Sequence, residues 1–233
     1  MGRKLKFLAT GDIHSDKNFL KNLRKNVDMK NIDYVLFTGD LSEKKDDFKD
    51  LLSFFEGKPV IMVPGNHESK RQIDSLKKHY GVHVLGNNPI VFDDDLAIFA
   101  SNYLAVGPYG VPEQEVFRNQ IVNFKNIERS KIKIMMSHLP PDGTLIGGMS
   151  PFFPIISGSV ATRVFLEHFE PDVVFVGHIH ESGGLEEIVN KSKVVNVGRS
   201  FRVFSFDPDT KKLEFELNDK SLNCKKSKSE KKK

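Results

Sequence analysis

Lys4–His14 reads KLKFLATGDIH, an apolar run that stops at a glycine and then presents an aspartate and a histidine two residues apart. A short apolar run closed by a turn residue reads as a buried strand, so Lys4–Thr10 is expected to be extended and the chain to turn at Gly11 and Asp12. The same grammar recurs downstream. Tyr34–Thr38 is a second such run and ends in Gly39 and Asp40; Pro59–Val63 is a third and leads into Gly65-Asn66-His67-Glu68. Helical spacing of apolar residues fills the intervals, over Asp16–Met29 and Phe48–Phe55. Strands alternating with helices bring strand ends to one edge of a sheet, and functional groups gather at such carboxyl ends.

The pattern then changes. After a helix expected at Arg71–Tyr80, Val82–Tyr103 alternates apolar residues with Gly- and Asp-rich turns, which reads as hairpin strands rather than another βαβ unit. A helix at Glu113–Ile127 leads to a strand, Ile132–Ser137, that ends at His138. A helix at Ser159–Phe169 leads to Val173–Gly177, which ends in His178 and His180. Val194–Val197, Phe201–Phe206 and Leu213–Leu217 read as closing strands, and no fixed-period repeat is present. A mixed α/β architecture follows, a sandwich of two sheets flanked by helices.

Composition bounds what such a chain does. Apolar residues make up 39% and charged residues 28% of 233 residues, values that suit a globular protein able to bury a core. No apolar run approaches the roughly 18 residues of a membrane span. Residues 1–10 lack the apolar core and cleavage site of a secretory signal, so a cytoplasmic location is expected. The single cysteine, Cys224, lies far from the histidines and leaves neither a disulfide nor a thiolate cluster to consider. Net charge is +4, but residues 220–233 hold seven lysines against one glutamate, so the remaining body is near −2. That division argues against a basic nucleic-acid surface on the body. Residues 1–219 are therefore expected to form one folded domain. The Lys-rich tail, 220–233, reads as a disordered solubilising segment, with weak nucleic-acid contact as its alternative.

Chemistry concentrates in five short motifs, each placed after an expected strand: Asp12-Ile13-His14, Gly39-Asp40, Gly65-Asn66-His67-Glu68, His138 and Gly177-His178-Ile179-His180. His79, His83 and His168 have no such company and read as ordinary surface or packing residues. Side chains two apart on an extended segment share a side, so each DIH or HIH pair can address one ion. Any one motif alone is more often a turn or a satisfied histidine. Five in order gather many ionisable groups at one sheet edge, which is costly unless metal charge compensates them. An Asp, His and Asn mixture suits Mn, Fe, Zn, Ni or Co better than Mg or Ca, with Mn favoured. A carboxylate shared through Asp40 would hold two ions about 3.5–4 Å apart.

These motifs resemble the signature of the calcineurin-like metallophosphoesterases, DxH, GD, GNH[ED], H and GHxH in that order, with every element intact over Phe7–Gly198. The resemblance implies a four-layer αββα sandwich of two mixed sheets flanked by helices. It implies that Asp12, His14 and His180 bind one metal and that Asn66, His138 and His178 bind a second, with Asp40 bridging. His67 would contact the phosphate, with Asn66 beside it, or protonate the leaving oxygen, and Asp40 and His67 would be the catalytic pair. The implied reaction is hydrolysis of a small-molecule phosphoester by a metal-bridging hydroxide. Ser137–Thr144, SHLPPDGT, and Gly177–Ser182, GHIHES, look like the small archaeal and bacterial members. Val197 departs from the Asn-Pro-Gly common there, a local turn difference. The Ser/Thr protein phosphatase branch is less similar: it carries arginines where this chain has Glu43-Lys44-Lys45 and Pro64. Arginine forks grip a terminal phosphate bidentately and lysine does not, so a phosphodiester or nucleotide is expected over a phosphoprotein or other monoester. Glu43 stands where those phosphatases orient the catalytic histidine; it is either an orienting acid or a solvated one in its charged run. Phe152 and Phe153, in the Gly/Pro-rich segment 140–158, either pack within their own loop or stack on a substrate base. A catalytically silent binding scaffold on the same fold and a DNA nuclease are the competing readings.

Overall fold

The computed structural model describes residues 2–42, 47–101, 107, 110–148 and 158–216. Glu43, Phe152, Phe153 and the tail 220–233 lie outside the described residues. Strands in chain order are β1 (Leu5–Thr10), β2 (Tyr34–Phe37), β3 (Val60–Met62), β4 (His83–Val84), β5 (Ile90–Phe92), β6 (Leu96–Ala100), β7 (Ile132–Met136), β8 (Val173–Val176), β9 (Glu186–Val189), β10 (Ser192–Asn196), β11 (Phe201–Asp207) and β12 (Lys212–Phe215). They form two six-stranded sheets, β12-β11-β1-β2-β3-β4 and β5-β6-β7-β8-β10-β9. β1 to β4 run parallel, as do β6, β7, β8 and β10, while antiparallel neighbours complete each sheet.

Strand side chains point alternately to opposite faces, and here both faces are covered. Phe7 and Ala9 of β1 meet Ile98, Ile134 and Phe175 of the second sheet in a middle apolar layer. Leu8, between them, faces the other way, into a layer built with Phe19, Leu20 and Leu23 of α1 (Lys17–Asn26), Phe48 and Leu51 of α2 (Phe48–Ser53) and Leu76 of α3 (Lys70–Tyr80). On the far side, Ala97, Phe99, Met135 and Val174 pack beneath Phe165 and Leu166 of α6 (Val160–Phe169). Phe117, Ile121 and Phe124 of α4 (Glu113–Lys125) join them, and α5 is the short turn Leu145–Gly148. Three apolar layers between four structural layers make an αββα sandwich. Burial on both faces is why the strands read as continuous apolar runs rather than alternating ones.

The expected fold class is the one observed, with local differences. Among the described residues of Val82–Tyr103, only β5 and β6 form the expected antiparallel hairpin. β4 instead lies parallel to β3 and completes a βαβ unit through α3. Two residues carry no readable alternation; what fixes β4 is burial of its neighbours Val82 and Leu85 in the two layers either side of the first sheet. The expected helix Asp16–Met29 ends at Asn26, and Asp28 caps a separate 3-10 turn, Met29–Asn31. β9 is not among the expected strands, because its two glutamates mask it; Glu186 is held there by Arg202 and Lys193.

Between the sheets runs a seam. Gly11, just after β1, pairs with Gly198, just after β10. On the second sheet the Gly177 N–H donates to His138 O and the Val197 N–H to Val176 O. The turns that carry the five motifs therefore meet along one edge of the sandwich.

Candidate metal centre

The backbone at this edge is strained. Asp12 (φ 53°), His14 (48°), Asp40 (58°) and His178 (70°) all occupy the left-handed region. Such residues cost about 1–3 kcal/mol each and persist only where the surroundings hold them. The turns after β1 and β2 hold each other: the N–H groups of Asp12, His14 and Ser15 donate to the carbonyls of Gly39, Asp40 and Leu41 at 2.9, 3.0 and 3.2 Å.

Both aspartates are buried, Asp12 fully and Asp40 to 2% exposure. Glycines make room for them: a Cβ at Gly65 would overlap the Asp40 carboxylate, and one at Gly177 the Asp12 carboxylate. Asp12 accepts from the His178 N–H at 3.0 and 3.2 Å, so a carboxylate of the first sheet pins the HIH turn of the second. Asp40 Oδ1 accepts from the His67 N–H at 3.0 Å. Among the described residues, the ion-pairing neighbours of these carboxylates are imidazoles, not lysine or arginine. Two buried carboxylates that have imidazoles rather than lysine or arginine beside them fit a site built for metal charge.

Imidazoles surround the carboxylates. His14 Nε2 and His138 Nε2 lie 3.5 and 3.4 Å from the same oxygen, Asp40 Oδ2. His67 Nε2 is 3.9 Å from that oxygen, and His180 Nε2 is 3.5 Å from Asp12 Oδ1. His138 Nδ1 donates to Thr38 O at 2.7 Å, which leaves Nε2 facing inward, 2.9 Å from Asn66 Oδ1. An outer partner of this kind fixes ring orientation in metal-ligating histidines. The His178 ring stacks edge-on to His138 at 5.1 Å, and its buried Nε2 has no hydrogen-bond partner among the described residues. A buried, unpartnered ring nitrogen beside two carboxylates is a vacant ligand atom in chemical terms.

The protonation pattern follows from these neighbours. Burial would raise the Asp40 carboxyl, but His138 beside it and the His67 N–H outweigh burial and hold it down at about 2. Burial would lower His138, but Asp40, Asp12 and the Thr38 carbonyl bring it up to about 9. Burial and the neighbouring His138 charge push His178 down to about 4. Burial also lowers His14, against the pull of Asp40 and Asp12.

Three overlapping sets offer ligand atoms within 4.8 Å of one another: Asp12, His14 and His180; His14, Asp40 and His67; Asp12, Asp40 and His138. Asn66 and His178 flank the third set. The structure thus gathers Asp12, His14, Asp40, Asn66, His67, His138, His178 and His180 in one place. His79 and His83 lie on α3 and β4, and His168 caps its own helix by contacting Val164 O. Two positioning residues escape the sequence reading. Glu68, 4% exposed, accepts from the N–H groups of Asp40 at 3.0 Å, Leu41 at 2.7 Å and Gly65 at 2.7 Å, tying the β2 turn to the β3 turn. Burial and Asp40 raise its carboxyl despite those bonds. Its place in GNHE is the available signal. Asn196 donates to Ile179 O at 2.8 Å and accepts from the Gly198 N–H at 2.8 Å, bracing the HIH turn.

Among curated proteins none matches this chain in sequence. Solved structures match the fold. TT1561 of Thermus thermophilus superposes with TM-score 0.64 at 17% identity, over 92% of this chain and 99% of that one. A putative 5'-nucleotidase of Staphylococcus aureus gives TM-score 0.59 at 15% identity, over 92% of this chain and 53% of that one. The phosphopantetheinyl hydrolase of Mycobacterium tuberculosis gives 0.59 at 14%, over 85% and 91%. The sequence profile of the calcineurin-like phosphoesterases matches residues 5–182, a span that takes in all five motif turns and most of both sheets. With that match the chain belongs to the calcineurin-like phosphoesterase family.

Proposed function

We propose that this protein is a dinuclear, divalent-metal-dependent phosphodiesterase, with Asp12, His14 and His180 holding one ion, Asn66, His138 and His178 the other, and Asp40 shared. One observation carries the reading: His14 and His138, one from each set, both approach the same Asp40 oxygen, at 3.5 and 3.4 Å. The mixed Asp, Asn and His donors suit transition metals, manganese first. When bound, paired ions lower the pKa of a shared water and draw charge from phosphoryl oxygens. The protein's own groups do the rest. Thr38 and Asp40 orient His138, Glu68 orients the Asp40 backbone, and His67, 44% exposed at the mouth of the site, stands where it can donate a proton to a leaving oxygen.

Glu43-Lys44-Lys45 and Pro64, which stand where the Ser/Thr protein phosphatases carry their phosphate-gripping arginines, support a small phosphodiester or nucleotide over a phosphoprotein. We assign catalysis to residues 1–219 in the cytoplasm and no catalytic part to the tail 220–233. The test uses full-length protein stripped by chelator and reloaded with Mn, Zn, Ni, Co or Mg ions, assayed on bis(p-nitrophenyl) phosphate, p-nitrophenyl phosphate and cyclic nucleotides. Hydrolysis should return with Mn, favour the diesters and vanish in Asp40→Ala. Failure of every ion to restore hydrolysis, or full activity in Asp40→Ala, would refute the reading.

A further inference from the structure

Arg199 belongs to none of the five motifs, yet it grips the first of them. It follows Gly198 in the connection that leaves the second sheet for β11, and it holds a left-handed backbone, φ 52°. Its N–H donates to Gly11 O at 3.1 Å. Its guanidinium donates from Nη1 to Ile13 O at 3.2 Å and from Nη2 to Asp16 Oδ2 at 2.6 Å, and lies 5.4 Å from the centre of the Phe19 ring. The bonds to Ile13 and Asp16 fall on either side of His14.

The turn so gripped is the one with the densest strain, since Asp12, His14 and Ser15 all have positive φ. Its inner side is laced to residues 39–41, as described above; Arg199 braces the side away from that lacing. We propose that Arg199 is a positioning residue that fixes the Asp12–Asp16 turn and so sets where the Asp12 and His14 ligand atoms point. The proposal rests on the dinuclear reading given above. A planar two-armed fork suits the task, because one side chain must reach a carbonyl and a carboxylate together while stacking on an aromatic ring. Lysine would keep the charge but not the planar fork or its stacking on the Phe19 ring. Asn66 and His138 stand on other turns that Arg199 does not touch, and of the second set only His178 is tied to the gripped turn, through its N–H bond to Asp12, so the loss of Arg199 should fall on one ion more than the other.

The test titrates Mn ions into chelator-stripped, full-length protein by calorimetry, for wild type, Arg199→Lys, Arg199→Met and Asp16→Asn, alongside thermal melting of each without metal. Wild type should take up two ions. Arg199→Met should weaken one of them by about 10- to 100-fold, the range for removing an outer-shell partner, and leave the other near its wild-type affinity. Asp16→Asn should weaken the same ion less, and Arg199→Lys should fall between wild type and Met. If Arg199→Met does not fold, the Lys and Asn variants carry the comparison. Two ions bound at wild-type affinity in all variants, even with a lowered melting temperature, would reduce Arg199 to a structural residue and overturn the proposal. Equal weakening of both ions would overturn it too. A wild-type chain that takes up no second ion would instead bring down the dinuclear reading, and this assignment with it.

Discussion

His138 Nε2 lies 3.4 Å from Asp40 Oδ2, and neither side chain reaches solvent to any useful extent. The pair is the electrostatic centre of the site without metal. Asp40 stays ionised down to about pH 2 and His138 holds its proton up to about pH 9.

A pH dependence follows, with a definite sign. The His138 value lies above its ordinary 6.5, so its contribution to the metal-free fold is present below that value and lost as pH rises through about 9. Asp40 lies below its ordinary 3.8, so its contribution is present above that value and lost as pH falls through about 2. With His138 as a ligand, as proposed, an incoming ion displaces its proton, so Mn affinity should climb with pH up to about 9. Calorimetry in buffers of different ionisation enthalpy should show about one proton fewer released on binding by His138→Asn than by wild type near pH 7.5. Equal release would contradict the assignment.

Glu68→Ala should destabilise the protein by about 3 kcal/mol or more, since three buried N–H groups lose their acceptor at about 1–3 kcal/mol each. Urea unfolding measures it. A loss under about 1 kcal/mol would mean that water replaces the carboxylate.

Gly65→Ala should strip the site of metal, because the added methyl overlaps the Asp40 carboxylate and its backbone N–H. Gly57→Ala is the control: it has positive φ, but none of the described residues lies within 4 Å of the added methyl. It should cost about 1 kcal/mol of stability and leave metal content alone. Elemental analysis of both variants decides; equal metal content would show that the β3 turn gives way.

His67→Ala should lower turnover by about 10²- to 10⁴-fold, the usual weight of a general acid, while both ions stay bound. The ring also lies within ligand reach of His14 and Asp40, so the measurement matters. Loss of one ion with the activity would make His67 a ligand rather than a proton donor.

Much of this site is legible in the sequence for a physical reason. Strands buried on both faces must be apolar throughout, so the polar residues that end them stand out against the run: Asp12 after Phe7–Thr10, His138 after Ile132–Ser137. Glu68 and Asn196 are harder to read, since a carboxylate that serves backbone N–H groups looks in sequence like any acid in a turn. Arg199 gives no signal, because its partners Ile13 and Asp16 are 183 or more residues away and meet it only across the seam. β4 and β9 escape notice because a two-residue strand and a Glu-Glu edge carry no apolar period.

The central claim is that two ions share Asp40. Crystals of the full-length protein grown with manganese and measured at the manganese absorption edge test it directly. The account predicts two anomalous peaks about 3.5–4 Å apart, one on each side of the Asp40 carboxylate, with His14 and His180 at one and His138 and His178 at the other. A single peak, or two that do not share Asp40, would contradict it.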